Sequence, residues 1–134
     1  MSAENVAIIR SIYGAMATGD IPTVINALSP DVVWNEAENF PYVDGNPYVG
    51  PEAVLSGVLA RLATEWDGFG APMPDFIDGG DTVVVTGRYV GTYLATGKPM
   101  NPQALHLWTL KDGKVVGFQQ YVDTLAVAKA MGKA

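Results

Sequence analysis

Near the start of the chain, apolar residues recur every three or four positions. Ile9, Ile12, Tyr13 and Met16 fall on one face of a helix that Ser2 can cap. Gly19 ends it, and Asp20 opens a second helix with Pro22 in its first turn and Val24, Ile25 and Leu28 turned inward. Ser29-Pro30-Asp31 breaks that helix, and Val32-Val33-Trp34-Asn35-Glu36 predicts a strand. Periodicity is then lost from Ala37 to Gly50, where Pro41, Gly45 and Pro47 are interleaved with Phe40, Tyr42 and Tyr48. Long irregular segments of this kind often wall a pocket. Pro51 restarts the helical pattern, and Leu55, Val58, Leu59, Leu62 and Trp66 give a third helix one broad apolar stripe.

From there the period changes to the alternation of strands. Gly68, Gly70, Pro72 and Pro74 punctuate Asp67 to Pro74, so a strand there is short or bulged. Asp78-Gly79-Gly80-Asp81 predicts a turn, and Thr82 to Leu94 a long strand rich in Val, Thr and Tyr. Ala95 to Pro99 returns the chain into a strand carrying His106. Asp112-Gly113 then suits a tight turn into Val115–Val122, and Thr124 to Met131 is weakly helical. Helices with one early strand, followed by a run of antiparallel strands, give the α+β class. A curved antiparallel sheet wrapped around the N-terminal helices makes a cone, and its closed end is a natural site for a small hydrophobic molecule.

Composition narrows the options. The 134 residues, 49% apolar and 16% charged, fit one folded domain over 1–134. A net charge of −6 without a basic run argues against nucleic acid and against anionic membrane surfaces. No apolar stretch reaches the length of a membrane span, and the first residues lack the pattern of a signal peptide. Cysteine is absent, which removes disulfides and thiolate chemistry and makes a cytoplasmic setting the expectation. With one histidine, no clustered carboxylates and no glycine-rich phosphate loop, neither a metal nor a cofactor is expected. Ser2, Ser11, Ser29 and Ser56 lack the context of an activated nucleophile.

Alternation points to one shared polar cluster. Trp34 and Glu36 share a face on the early strand, as do Thr86, Arg88 and Val90 on the long one. His106 and Trp108 come from the next strand, and Phe118, Gln120 and Val122 from the last. If these faces line one cavity, it holds four strongly polar side chains: Glu36, Arg88, His106 and Gln120. Trp34, Tyr42, Trp108 and Phe118 would be its aromatic walls. An unpaired buried guanidinium is costly, so Arg88 is expected either to bridge to Glu36 or to bind substrate.

Several segments together resemble the nuclear transport factor 2-like superfamily, in its SnoaL-like and ketosteroid isomerase-related branch. They are Ala17-Thr18-Gly19-Asp20-Ile21, Leu28 to Trp34, Tyr48-Val49-Gly50-Pro51-Glu52-Ala53-Val54, Gly79 to Val85, and the hairpin from His106 to Asp123. The resemblance implies a cone-shaped, cystatin-like α+β barrel. It assigns Glu36 to the position of the isomerase general base, and His106 to that of a protonated aspartic acid that donates to the developing enolate. The family's first-helix tyrosine aligns with Ile12, with Tyr13 one step away. Gln120 takes the place of the polyketide cyclase aspartate, with Asp123 three residues on, and Arg88 lacks the flanking carboxylates of the epoxide-hydrolase branch. The resemblance also implies a homodimer through the opposite sheet face, where Tyr89, Tyr93, Leu107 and Tyr121 are expected.

Two functions follow from this reading. One is a cofactor-independent isomerase or lyase acting on a small hydrophobic carbonyl compound, with Glu36 as base and His106 as donor. The other is a non-catalytic pocket of the same fold, with Arg88 and His106 as ligand anchors.

Overall fold

The computed structural model describes residues 2–134, with side chains from residue 3 onward. Helix α1 (Ser2–Ala17) sinks Ile9 and Ile12 fully into the core. The Ser2 side chain, expected to cap it, lies outside the described residues. Asp20 does cap α2 (Ile21–Ala27): its carboxylate accepts the Thr23 backbone N–H at 3.3 Å and the Thr23 hydroxyl at 2.6 Å. Strand β1 (Leu28–Asn35) starts directly at the end of α2, and β2 (Tyr48–Val49) lies at its edge. A third helix, α3, occupies residues 51–65, with Leu55–Leu59 widened into a π-helical turn between Pro51–Val54 and Ala60–Glu65. Such widened turns are frequent at functional sites, and this one turns Val58 and Leu59 inward. The expected apolar stripe stops one residue early: Trp66 is extended and pairs with Tyr93.

The remaining elements are β3 (Trp66–Gly70), β4 (Asp75–Gly79), β5 (Thr82–Arg88), β6 (Val90–Tyr93), β7 (Pro99–Met100), β8 (Gln103–Lys111), β9 (Lys114–Val122) and α4 (Thr124–Ala130). Asp123 caps α4. Asp112 and Gly113 both adopt positive φ, 51° and 77°, as a two-residue hairpin turn that follows the twist of β8 and β9 requires. Six strands in the order β2-β1-β9-β8-β5-β4 form a curved, unclosed sheet, and β3-β6-β7 form a second small one. The fold is α+β as expected, but the main sheet is mixed rather than antiparallel, because β1 runs parallel to β9. Among the described residues no helix is long and apolar enough to cross a membrane.

The pairing across β5, β8 and β9 decides which side chains meet inside. His106 stands opposite Val85 on one side and Gln120 on the other, and Trp108 opposite Val83 and Phe118. Trp34 joins this face through Phe118, their rings stacked with centroids 3.8 Å apart. The inner face of β5 is therefore the odd-numbered one. The expectation that Thr86, Arg88 and Val90 face the cavity is off by one residue. Gly87 explains the end of β5. The loop at Pro72 and Met73 packs so tightly on it that a Cβ would stand 2.5 Å from the Pro72 carbonyl oxygen. The long strand expected over Thr82 to Leu94 is accordingly interrupted at Tyr89, which lies between β5 and β6.

Candidate active site

Glu36 sits just past the end of β1 with 3% of its surface exposed. Its backbone is clamped by Asn46, whose Oδ1 accepts the Glu36 N–H and whose Nδ2 donates to the Glu36 carbonyl, both at 2.9 Å. The carboxylate faces a small apolar cavity between α1, α3 and the sheet, bordered also by Trp34, Phe40, Leu59, Phe69, Trp108 and Phe118. The space open to the centres of water-sized molecules is about 40 Å³, room for roughly three waters. Met16 and Phe69 border both this cavity and two neighbouring grooves, and so form the wall between them.

Burial pushes the Glu36 carboxyl up to about 8. The Trp34 indole N–H beside it and the charge of Arg61 oppose that shift in part. Trp34 Nε1 is itself buried without a hydrogen bond of full geometry, so it steadies the carboxylate only by proximity. Arg61 is committed elsewhere: it pairs with Asp44 at 2.8 Å and lies 4.0 Å over the Tyr42 ring.

Opposite Glu36 runs a continuous chain of hydrogen bonds centred on His106. Its Nδ1 meets the hydroxyl of Tyr13 from α1, and its Nε2 meets the hydroxyl of Tyr89. Trp108 Nε1 donates to the Tyr13 oxygen at 3.0 Å, and Gln120 Nε2 donates to the Tyr89 oxygen at 2.9 Å. The orientation of the Gln120 amide is fixed at its other end, where Oε1 accepts the Ala37 N–H at 3.0 Å. Burial drives the His106 ring down to about 3, so it is neutral near pH 7. Burial likewise raises both tyrosine hydroxyls, Tyr89 further by the charge of Glu36.

A neutral imidazole carries one N–H and one acceptor nitrogen. The links Tyr13–His106 and His106–Tyr89 therefore consume two of the three protons held by the two hydroxyls and the ring. One tyrosine hydroxyl proton is always left over. Tyr89 borders the cavity beside Glu36, and in the arrangement that leaves its proton free it presents a hydrogen-bond donor inward.

Of the residues singled out in the sequence, Glu36, Trp34, His106, Trp108, Phe118 and Gln120 all border this cavity. Arg88 does not. It is exposed, donates to the Asn101 carbonyl at 2.8 Å, and makes no ion pair with Glu36, because the register of β5 turns it outward. Tyr42 is buried one layer behind the wall, edge-on to Phe40, with its hydroxyl donating to Glu65 at 2.5 Å and accepting from Trp66. Tyr89, expected on the outer face, is inside, and Tyr93 packs its ring against Trp66. A signal for Tyr89 was present in the sequence: Val83, Val85, Gly87 and Tyr89 form the uncharged alternate set, whereas the other set carries Thr86 and Arg88. Among the described residues, no three His, Asp or Glu side chains gather as a metal site would require.

A family model described as a SnoaL-like domain matches residues 9–118. Among solved structures, an NTF2-like protein from Burkholderia thailandensis is 36% identical, covering 94% of this chain and 95% of that one, with a TM-score of 0.89. TerC, co-crystallised with polyporic acid, is 27% identical over 96% of this chain and 98% of its own, with a TM-score of 0.85. A protein with a ketosteroid isomerase-like fold from Catenulispora acidiphila is 16% identical over 95% and 93%, with a TM-score of 0.78, a likeness of fold alone. No curated protein matches the chain.

Proposed function

Because the chain belongs to the SnoaL-like domain family, we propose that it is a cofactor-independent isomerase or lyase acting on a small hydrophobic carbonyl compound. The observation that carries this reading is Glu36: a carboxyl held in an apolar cavity, raised to about 8 by burial, facing a wall that contains a hydroxyl donor. A base of that strength is matched to proton abstraction near neutral pH, whereas an ordinary surface carboxylate is too weak. Glu36 takes the proton next to the carbonyl. Tyr89 donates to the oxygen as negative charge develops there, and a donor in a water-poor cavity counts for more than one in solvent. His106 has both ring nitrogens occupied by tyrosines, so it acts through Tyr89 as a positioning residue, and Gln120 does the same from the other side.

TerC was co-crystallised with polyporic acid, which supports a small organic ligand for this cavity as well. The rival reading, a binding pocket anchored by Arg88 and His106, loses its arginine, which is exposed and held by Asn101. Val33 and Tyr121, exposed on the outward face of the sheet that also carries Leu107, support a homodimer formed there.

The test is deuterium incorporation from heavy water into a panel of enolisable ketones, followed by mass spectrometry. Glu36→Gln keeps the shape of the side chain but cannot accept the proton, so the rate should fall by roughly 10²–10⁴. A variant that exchanges every ketone as fast as the wild type removes Glu36 from the chemistry and with it the enzyme reading.

A further inference from the structure

The two ends of the His106 chain open on different spaces. Tyr89 is buried and borders the inner, apolar cavity. Tyr13 is only half-buried and borders the open grooves on the outer side of α1, one of them lined by Arg10, Pro72 and Phe76. The chain thus passes through a wall that is otherwise aromatic and aliphatic. We propose that Tyr89, His106 and Tyr13 form a proton relay between the inner cavity and the outer groove, so that a bound carbonyl compound exchanges protons with groove water through the chain.

The proton count defines the two states. In the first, Tyr13 donates to Nδ1, the ring proton is on Nε2 and is given to the Tyr89 oxygen, and the Tyr89 hydroxyl proton points to an acceptor in the cavity. In the second, Tyr89 donates to Nε2, the ring proton is on Nδ1 and is given to the Tyr13 oxygen, and the Tyr13 proton is turned toward the groove. Moving from the first to the second delivers one proton inward. The Tyr89 proton goes to the enolate oxygen, the Nε2 proton to Tyr89, the Tyr13 proton to Nδ1, and a proton from groove water to Tyr13. No charge is left on the relay. The return carries one proton outward: Tyr89 receives the proton that Glu36 took from carbon, and Tyr13 releases one to the groove.

Trp108 and Gln120 donate to the two tyrosine oxygens in both states, so neither hydroxyl needs to leave its place when its proton turns. The groups facing the relay are few. Glu36 lies on the cavity side, close enough for its charge to act on Tyr89. On the groove side Arg10 stacks 4.3 Å over Phe76, whose ring is edge-on to Tyr13. The outward half of the cycle rests on the proposed base role of Glu36, whereas the existence of the two states does not.

His106 is the sole histidine, so its two ring nitrogens can be read directly by ¹⁵N nuclear magnetic resonance of the whole protein. Saturating 4-nitrophenol, an acidic hydroxyl compound that offers Tyr89 an acceptor, should shift both ring resonances toward the Nε2-protonated form. Ring resonances that stay unchanged with the phenol bound describe a histidine fixed in one tautomer and overturn the relay. Because the phenol is larger than the space of roughly three waters, the titration is repeated on Phe69→Ala, which opens the wall to the grooves; a phenol that binds neither protein finds no donor at Tyr89 and overturns the relay. The second measurement uses 2-tetralone in heavy water. Tyr13→Phe cuts the outer end and should slow deuterium incorporation by roughly tenfold or more, while 4-nitrophenol affinity, which depends on Tyr89, is little changed. Incorporation at the wild-type rate refutes the relay. If the wild type itself incorporates no deuterium, the Glu36 reading fails, and the resonance shift alone still decides whether the relay exists.

Discussion

Glutamine in place of Glu36 should make the protein more stable above neutral pH, and the size of the gain follows from the burial of the carboxyl. The ordinary glutamate value is 4.5 and the folded value is about 8, raised chiefly by desolvation. An acid raised in this way binds more protons in the folded state across that window. Its contribution is full below pH 4.5, falls as the pH rises, and is gone above about 8. At about 1.4 kcal/mol per unit, the window sets a ceiling of about 5 kcal/mol. His106 works in the opposite sense. Its value drops from 6.5 to about 3 on burial, so the folded state binds fewer protons between those limits and stability rises with pH there. Where the windows overlap, between 4.5 and 6.5, the two slopes cancel and the wild type should show a plateau. It should weaken above 6.5 through Glu36 and below 4.5 through His106. Glu36→Gln removes the alkaline limb and turns the plateau into a rise with pH up to about 6.5, because only the His106 slope remains. Urea unfolding followed by tryptophan fluorescence, at one fixed protein concentration, measures both proteins at about pH 5.5 and about pH 8.5. The advantage of the variant should widen by about 3 kcal/mol between them. A difference that stays constant across that range would falsify the neutral buried carboxyl, and with it the origin of the base strength.

Three other outcomes are expected. Asn46→Ala removes the two hydrogen bonds that clamp the Glu36 backbone and should lower stability by about 1–3 kcal/mol in the same urea assay; a loss within experimental error means the clamp is idle. Phe69→Ala opens the wall between the cavity and the outer grooves, so bicyclic ketones should gain exchange rate relative to monocyclic ones, and an unchanged preference places the entrance elsewhere. Light scattering at micromolar concentration should give the mass of two chains; a clean value near 14.2 kDa counts against pairing through the outer sheet face.

The helices and the closing hairpin were legible because their signals are local. Asp20 caps, Pro51 starts a helix and Asp112-Gly113 turns the chain without help from distant residues. Glu36, His106 and Gln120 were brought to one cavity by alternation along three strands with clear phase. The phase of β5 was less legible: Val83, Val84 and Val85 are equally apolar, and the only cue is that Arg88 falls in the set opposite Val83, Val85, Gly87 and Tyr89. What settles it is a tertiary contact, the Pro72–Met73 loop against Gly87, and no pattern along β5 records that contact. The same cause hid Tyr89. Tyr13 stands one step from the family position in the sequence, and its link to His106 depends on the angle at which α1 crosses the sheet. The parallel pairing of β1 with β9 joins the two ends of the main sheet's sequence, and local rules do not reach so far.

Gln120 bears on how this scaffold could diversify. One planar amide holds the Ala37 backbone, next to Glu36, with its oxygen and the Tyr89 hydroxyl with its nitrogen. The spacing between proton acceptor and proton donor is thereby gauged by a single rigid group rather than by the loops around it. Met16, Leu62 and Phe69, which shape the rest of the enclosure, take no part in that gauge. Drift or redesign at those three positions can recut the outline of the accepted molecule while the reacting pair keeps its separation, which makes them the first sites to randomise in search of a new substrate.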